Sequence, residues 1–218
     1  MDIYEALYTT RAMRRLRPGP ISLASQARIL DAAIRAPSGA NVQPWRFLLV
    51  DDPALKARLG PIYRACHDDI EAFLTDRTAL ALAAPDDPDH AAFLRTLRSS
   101  QHLADHFAAV PLLLFCFAQT GYADASLYPA AWSALLAARA EGIGGTLTTI
   151  LSFRAAEVLA LLGVPAGWEM GCCVAMGYPS GRWGVAPRRP VHEVAARNHW
   201  DGPIGFEVPT PLWPRPQR

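Results

Sequence analysis

"VPLLLFCFA", Val110–Ala118, lies within the longest purely apolar run in the chain. A short run with no polar break reads as a central strand buried on both faces. It cannot cross a bilayer, which takes about 20 residues as a helix. Helical patterns lie on either side of it. Ala91–Ala108 reads as one helix, and an Ala-rich stretch from Ser126 or Tyr128 to Ala140 as another. "WEMGCCVAMGYP", Trp168–Pro179, reads as the last strand of the core. "RFLLV", Arg46–Val50, stops at Asp51-Asp52-Pro53 and reads as a shorter buried strand. Further helices are expected over Asp2–Thr9, from a Ser22 cap to about Arg35, and over Phe153–Leu162. Residues 54–83 are helical in composition but poorly periodic, and Ala83–His90 reads as a loop. Helices alternating with few strands give an α+β fold built as a three-layer αβα domain.

With 218 residues and 51% apolar content, one domain spanning 1–218 is the simplest organisation. The tail 182–218, rich in Pro, Trp and Arg, has no core of its own and is expected to drape over the fold or over a partner subunit. The charge is balanced, with 21 Lys+Arg against 20 Asp+Glu, which removes the electrostatic case for nucleic-acid or polybasic membrane binding. Lys56 is the only lysine. The cysteines Cys66, Cys116, Cys172 and Cys173 show no CxxC spacing, so buried free thiols are expected. The N-terminal stretch lacks the apolar centre of a signal peptide, and the expectation is a soluble cytoplasmic protein.

Three segments could carry chemistry. In "TTRAMRRLRP", Arg11 and Arg14 stand three apart and could fork onto one phosphate; the same run also suits a solvated basic turn. In "APSGANVQPWRFLLV", Ala36–Val50, Pro37 and Gly39 set the backbone. Ser38, Asn41 and Gln43 there offer the donors and acceptors a flat heteroaromatic ligand needs. An ordinary helix-to-strand loop with Trp45 plugging the core is the alternative. In "GIGGTLTT", Gly142–Thr149, glycines permit close backbone approach to a ligand, or end a helix that enters a strand. The spacing is not GxGxxG, which disfavours a Rossmann site. There is no GxSxG, HExxH or Walker loop. His102 and His106 have helical metal-ligand spacing but no evident third ligand, so no metal is expected.

Taken in order, these segments, with "SLYPAAWSALLAARAEGIGGTLTT" and "GYPSGRWGVAPRRPVHEV", resemble the FMN-dependent nitroreductase family. The resemblance covers most of residues 2–52 and 110–198 and skips 53–109. It implies a central, mostly antiparallel sheet and an obligate homodimer with FMN at the interface. It implies NADH or NADPH as reductant, passing a hydride to the flavin in a ping-pong cycle that ends on a nitroaromatic, quinone or related acceptor. By position, Arg11, Ala12 and Arg14 match the family's Arg-rich phosphate motif, and Arg188, two before Pro190, matches a second phosphate contact. Pro37, Ser38, Gly39, Asn41 and Gln43 match the loop along the flavin ring and ribityl chain; Gly145, Thr146 and Leu147 match the segment on its other side. The usual Arg-Arg-Ser-x-Arg is Thr10-Arg11-Ala12-Met13-Arg14 here, so one arginine and one hydroxyl are missing. No residue is identified as a proton donor. Tyr63, Phe73, Tyr122, Tyr128 and Trp183 could line the pocket, or belong to core or interface. The same motifs suit a flavin-fragmenting, dehalogenating or dehydrogenating enzyme, or a non-catalytic flavin-binding protein.

Overall fold

A computed structural model describes residues 1–121 and 123–214. In chain order the elements are α1 (Ile3–Thr9), β1 (Leu16–Arg17), α2 (Leu23–Ala33), β2 (Trp45–Val50), α3 (Pro53–Phe73) and α4 (Thr75–Ala83). They continue with α5 (Pro88–His106), β3 (Leu112–Gln119), α6 (Ala123–Ala140), β4 (Gly144–Thr148), α7 (Ala155–Leu161) and β5 (Trp168–Pro179). Two compact units result: residues 12–182 hold the sheet, and residues 1–11 with 183–218 form a terminal unit.

The apolar run behaves as its composition dictates. In β3, Leu112, Leu114, Cys116 and Ala118 join one buried cluster with α2 and α6. Leu113, Phe115 and Phe117 join a second cluster with α3, α5 and α7. Period-two alternation therefore feeds both faces, and helices cover each of them, giving three layers. Each fully buried Leu or Phe in these clusters contributes about 1.5–3 kcal/mol of transfer free energy.

The sheet is antiparallel throughout. β3 lies between β2 and β5, and the other edge of β5 pairs β4 along residues 173–177 and β1 at 178–179. A register shift lets β5 pass Gly171 without a partner, so Cys116 faces Cys172 while Phe117 faces Met170. The extra residue flips the alternation. Trp168 and Met170 pack on the α3 side, whereas Cys172, Val174 and Met176 pack on the α6 side. A Cβ on Gly171 would meet Leu127 Cδ2 at 2.5 Å, so a larger residue at the bulge would have to displace the Leu127 side chain. Vicinal Cys172 and Cys173 point to opposite faces, and all four cysteines are free and buried.

Helix starts follow local chemistry. Ser22 Oγ accepts the Ser25 N–H at 3.1 Å, and Asp52 accepts the Leu55 N–H at 2.6 Å ahead of Pro53. Asp87 caps α5 through the N–H groups of Asp89 and His90, with Pro88 at the first helical position. The helix therefore begins inside the stretch read as a loop. Ala131, Ala134 and Ala138 are fully buried where α6 packs against the sheet and α2. Lys56 is buried, and its Nζ donates to the Val110 carbonyl at 2.8 Å, tying α3 to the entry of β3.

In the terminal unit, Asp2 caps α1 through the Glu5 N–H, and the tail folds back on that helix. Ala186 N donates to Tyr8 O at 3.3 Å, and the Tyr8 and Trp213 rings lie 5.9 Å apart. Among the described residues no helix is long and apolar enough to cross a membrane.

Candidate functional site

Two segments remote in sequence meet in the sheet unit. Ala12 forms an isolated parallel bridge with Gly145, and the Met13 N–H donates to Gly145 O at 2.9 Å. The approach is close. A Cβ on Gly144 would lie 3.0 Å from Met13 Cβ, and one on Gly145 would lie 2.9 Å from the Ala175 carbonyl oxygen. Gly142, at φ +72°, ends α6, with Ile143 N donating to Ala138 O at 2.8 Å. Chain-to-chain packing and a helix stop thus account for all three glycines.

The Met13 bond fixes the entry of Arg14. Its side chain is half-buried, and burial lowers its pKa from the ordinary guanidinium value, with nearby Tyr63 acting in the opposite sense. Among the described residues no carboxylate forms an ion pair with it. Tyr63 is 3% exposed, and its ring stacks on Phe107 with centroids 3.9 Å apart. Its hydroxyl shares a 3.2 Å hydrogen bond with Thr148 Oγ1, and burial pushes its pKa up to about 12. His67 Nε2 is 3.1 Å from Ser100 Oγ. These groups border a cavity of 120 Å³ that also reaches Thr146 and Leu147.

The loop before β2 is held in an uncommon conformation. Ala40, Asn41 and Gln43 have φ of +49°, +56° and +53°, a region that non-glycine residues seldom adopt. Ser38 Oγ accepts the Gln43 N–H at 3.1 Å, and Gln43 Nε2 donates to Asn41 Oδ1 at 3.1 Å. Pro37, Gly39, Asn41 and Gln43 are exposed and Ser38 is half-buried. Pro44 is buried and Trp45 half-buried beside Phe47, so the loop is anchored at its β2 end. Held backbone strain with amide groups facing solvent marks a candidate ligand wall.

One chain does not bring this loop to Gly145. β2 and β4 are separated by β3 and β5, about 14 Å at ordinary strand spacing. Trp45 pairs at the level of Ala118, whereas Gly145 pairs with Met176 at the level of Leu112, about 20 Å farther along the strands. Ala12, Arg14, Gly145, Thr146 and Leu147 form one group; Ser38, Asn41 and Gln43 form another. Arg11 and Arg188 belong to the terminal unit and are exposed; Arg188 Nη1 donates to Pro187 O at 2.8 Å.

The aromatic candidates divide. Tyr63 lines the cavity, Tyr128 donates to Gly171 O at 3.2 Å, Phe73 is 88% exposed, and Trp183 lies in the terminal unit. Tyr122 lies outside the described residues. His102 and His106 stack at 4.2 Å. His67, Asp68 and Glu71 offer ligand atoms within 4.8 Å of one another, yet Arg64 lies 2.9 Å from Asp68 and 3.9 Å from Glu71. Besides Tyr63, which the sequence reading had named as a possible pocket residue, the cavity is lined by His67, Ser100 and Thr148, which it had not singled out. Tyr63, Cys66 and His67 stand at i, i+3 and i+4, a helical-face pattern that was available in "YRACHDD".

The family model "Nitroreductase family" matches residues 7–178. The chain belongs to the nitroreductase family. The matched span holds the Arg11–Arg14 turn, the 37–43 loop and β4, and ends before Arg188. Relatives of the chain include "NADH dehydrogenase" of Thermus thermophilus, 30% identical over 89% of this chain and 95% of that protein. "5,6-dimethylbenzimidazole synthase" of Rhodospirillum rubrum is 31% identical over 90% of this chain and 94% of that protein. Among solved structures, oxidized iodotyrosine deiodinase bound to FMN and 3-iodo-L-tyrosine superposes with a TM-score of 0.65. It is 25% identical, covering 86% of this chain and 95% of that one. As a nitroreductase-family member the chain is an α+β oxidoreductase of the flavoprotein class, with its open antiparallel sheet between two helical layers.

Proposed function

We propose that this chain is an FMN-dependent oxidoreductase that draws reducing equivalents from NADH or NADPH and delivers them to a nitroaromatic, quinone or related small acceptor. The observation that carries this reading is Arg14: a half-buried cation without a carboxylate, clamped beside β4 through the Met13–Gly145 bond. Such a group calls for an anion. The donor set fits FMN. Arg14, with Arg11 and Arg188, would take the phosphate. Ala12, Gly145, Thr146 and Leu147 would border the ring on one side. Pro37, Ser38, Gly39, Asn41 and Gln43 would border it on the other, with amides that donate and accept along a heterocyclic edge. When bound, FMN supplies the centre that accepts and releases a hydride.

The strand separation between the two groups favours a homodimer, with the 37–43 loop of a second copy completing the site. Tyr63, with its pKa near 12, keeps its proton and serves as a hydrogen-bond donor, not as an acid. The relatives named "NADH dehydrogenase" and the FMN-bound deiodinase support the cofactor and the class of reaction. The similarity to a 5,6-dimethylbenzimidazole synthase and a deiodinase favours, as a second reading, a flavin-dependent enzyme dedicated to one metabolite.

The test is direct. The purified protein is expected to be yellow, to elute as a dimer, and to oxidise NADH or NADPH when benzoquinone or a nitrofuran is supplied. A colourless protein that gains no flavin spectrum on mixing with FMN overturns the cofactor. Flavin binding without turnover of either nucleotide leaves a dedicated or non-catalytic flavoprotein.

A further inference from the structure

His67 is 3% exposed, and its two ring nitrogens meet different surroundings. Ser100 Oγ donates to Leu97 O at 2.9 Å, so it accepts from His67 Nε2–H at 3.1 Å. A neutral imidazole carries one N–H, and burial keeps this ring neutral by lowering its pKa. Nδ1 is therefore the lone-pair nitrogen. It is buried and, among the described residues, has no hydrogen-bond partner. A buried acceptor left unmet is costly, and it asks for a ligand.

Nδ1 points toward carboxylates. It lies 3.8 Å from Glu71 Oε2, too far for a hydrogen bond. Glu71 stands four residues after His67, so both side chains rise from one face of α3. Asp68 completes the group, with one ligand atom from each residue within 4.8 Å of the others. In a tetrahedral site with bonds of about 2.0–2.1 Å, neighbouring ligand atoms stand about 3.4 Å apart. Small rotamer adjustments bring the three to that spacing. Arg64 now meets part of the negative charge. Its Nη2 lies 2.9 Å from Asp68 Oδ1 and 3.9 Å from Glu71 Oε2, and its Nη1 bonds Asp105 of α5. The guanidinium is partly exposed on a long stem, so it can keep Asp105 and release the other two. Arg64 answers the carboxylates but leaves Nδ1 without a partner; a metal ion answers both.

We propose that His67 Nδ1, Asp68 and Glu71 bind one divalent transition-metal ion of the Zn²⁺ class, with water in the fourth position. The imidazole ligand favours such an ion over Mg²⁺ or Ca²⁺. Ligating histidines usually donate their other N–H to an outer-shell acceptor, and Ser100 is that acceptor here. Ser100 is thus a positioning residue, through which the site would tie α3 to α5. The site is separate from the flavin reading. None of the three ligands is assigned to FMN, and Asp68 and Glu71 do not border the Arg14 cavity.

The test uses the untagged full-length protein in the form in which it purifies, freed of adventitious metal by EDTA and dialysis. Zn²⁺ is titrated in competition with a chromophoric chelator, with Mg²⁺ as control. One Zn²⁺ per chain is expected, with a dissociation constant at least about tenfold higher in His67→Gln and in Glu71→Gln. Ser100→Ala, which leaves all three ligands in place, should weaken binding about tenfold, and Ser100→Thr, which keeps the hydroxyl, should restore it. Arg64→Gln should bind Zn²⁺ more tightly, because no guanidinium then competes for Asp68 and Glu71. Far-UV circular dichroism reports whether each variant folds; should buried His67→Gln fail, the half-buried Glu71→Gln carries the comparison. No saturable binding, equal binding of Mg²⁺, an unchanged constant in Glu71→Gln, or weaker binding in Arg64→Gln overturns the proposal. So does binding that survives in Glu71→Gln but is lost in His106→Gln, which would place the ion on the His102–His106 pair of α5.

Discussion

Met13 and Gly145 are joined backbone to backbone at 2.9 Å, and that bond sets Arg14 against β4. A Cβ on Gly145 would meet the Ala175 carbonyl oxygen at 2.9 Å and Leu135 Cδ2 at 3.1 Å. Backbone cannot yield as a flexible side chain would. Gly145→Ala is therefore expected to cost about 1–3 kcal/mol in a urea titration. Gly39→Ala, where a Cβ meets nothing within 4 Å, should stay within about 0.5 kcal/mol of the parent. Equal midpoints for the two variants would contradict the close approach.

Ala40 sits at φ +49° without a glycine's freedom. Ala40→Gly should stabilise the fold by about 0.5–1 kcal/mol by releasing that strain. If the loop walls the flavin, the same variant should bind FMN more weakly, because the loop is no longer held. A fluorescence titration of FMN beside the urea curve reads both effects.

Arg14→Ala together with Arg188→Ala should release FMN, raising its dissociation constant by more than about tenfold, while the folded signal persists. Unchanged flavin occupancy after gel filtration would remove the phosphate assignment.

His67 is 3% exposed, and burial lowers its pKa from 6.5, with Glu71 opposing. The unfolded chain therefore takes up this proton at higher pH than the folded one. Between the two values the unfolded state binds more protons, so this group's contribution makes stability rise with pH. Its stabilisation is complete above the unfolded value and is lost as pH falls below it. Urea midpoints should fall between about pH 7.5 and about pH 5, and His67→Gln should flatten that dependence. A variant with the parent's slope would assign the acid sensitivity elsewhere.

Much of the fold was legible. The strands at Val110–Ala118 and Trp168–Pro179 declared themselves because burial on both faces leaves almost no polar positions, exposed Glu169 being the exception. The Ser22 cap was equally plain, since a hydroxyl at a helix start has one job, whereas Asp2 was read into the helix that it caps. Pro88 after Asp87 is a helix start written in the same chemistry, but the surrounding acidic run masked it as a loop. β1 was not legible: two residues, Leu16 and Arg17, carry no period, and only the pairing with Tyr178 and Pro179 makes them a strand. The candidate site was legible as parts, not as an arrangement. Sequence order places Ser38–Gln43 and Gly145–Leu147 on one list, whereas strand order places them at opposite edges of the sheet. The hydroxyl and imidazole groups of α3 and α5 carried no motif, because what makes Tyr63 and His67 notable is what packs over them.

Lys56 has a practical consequence. The chain's single lysine is spent inside the fold, with its ammonium held on the Val110 carbonyl where α3 meets β3. Amine-directed reagents therefore have no lysine to acylate on the native surface. Acylation at Lys56 requires α3 to part from the sheet, so its rate is a one-site clock for the opening of the core. Mass spectrometry can read that clock as the mass of one acyl group added at Lys56.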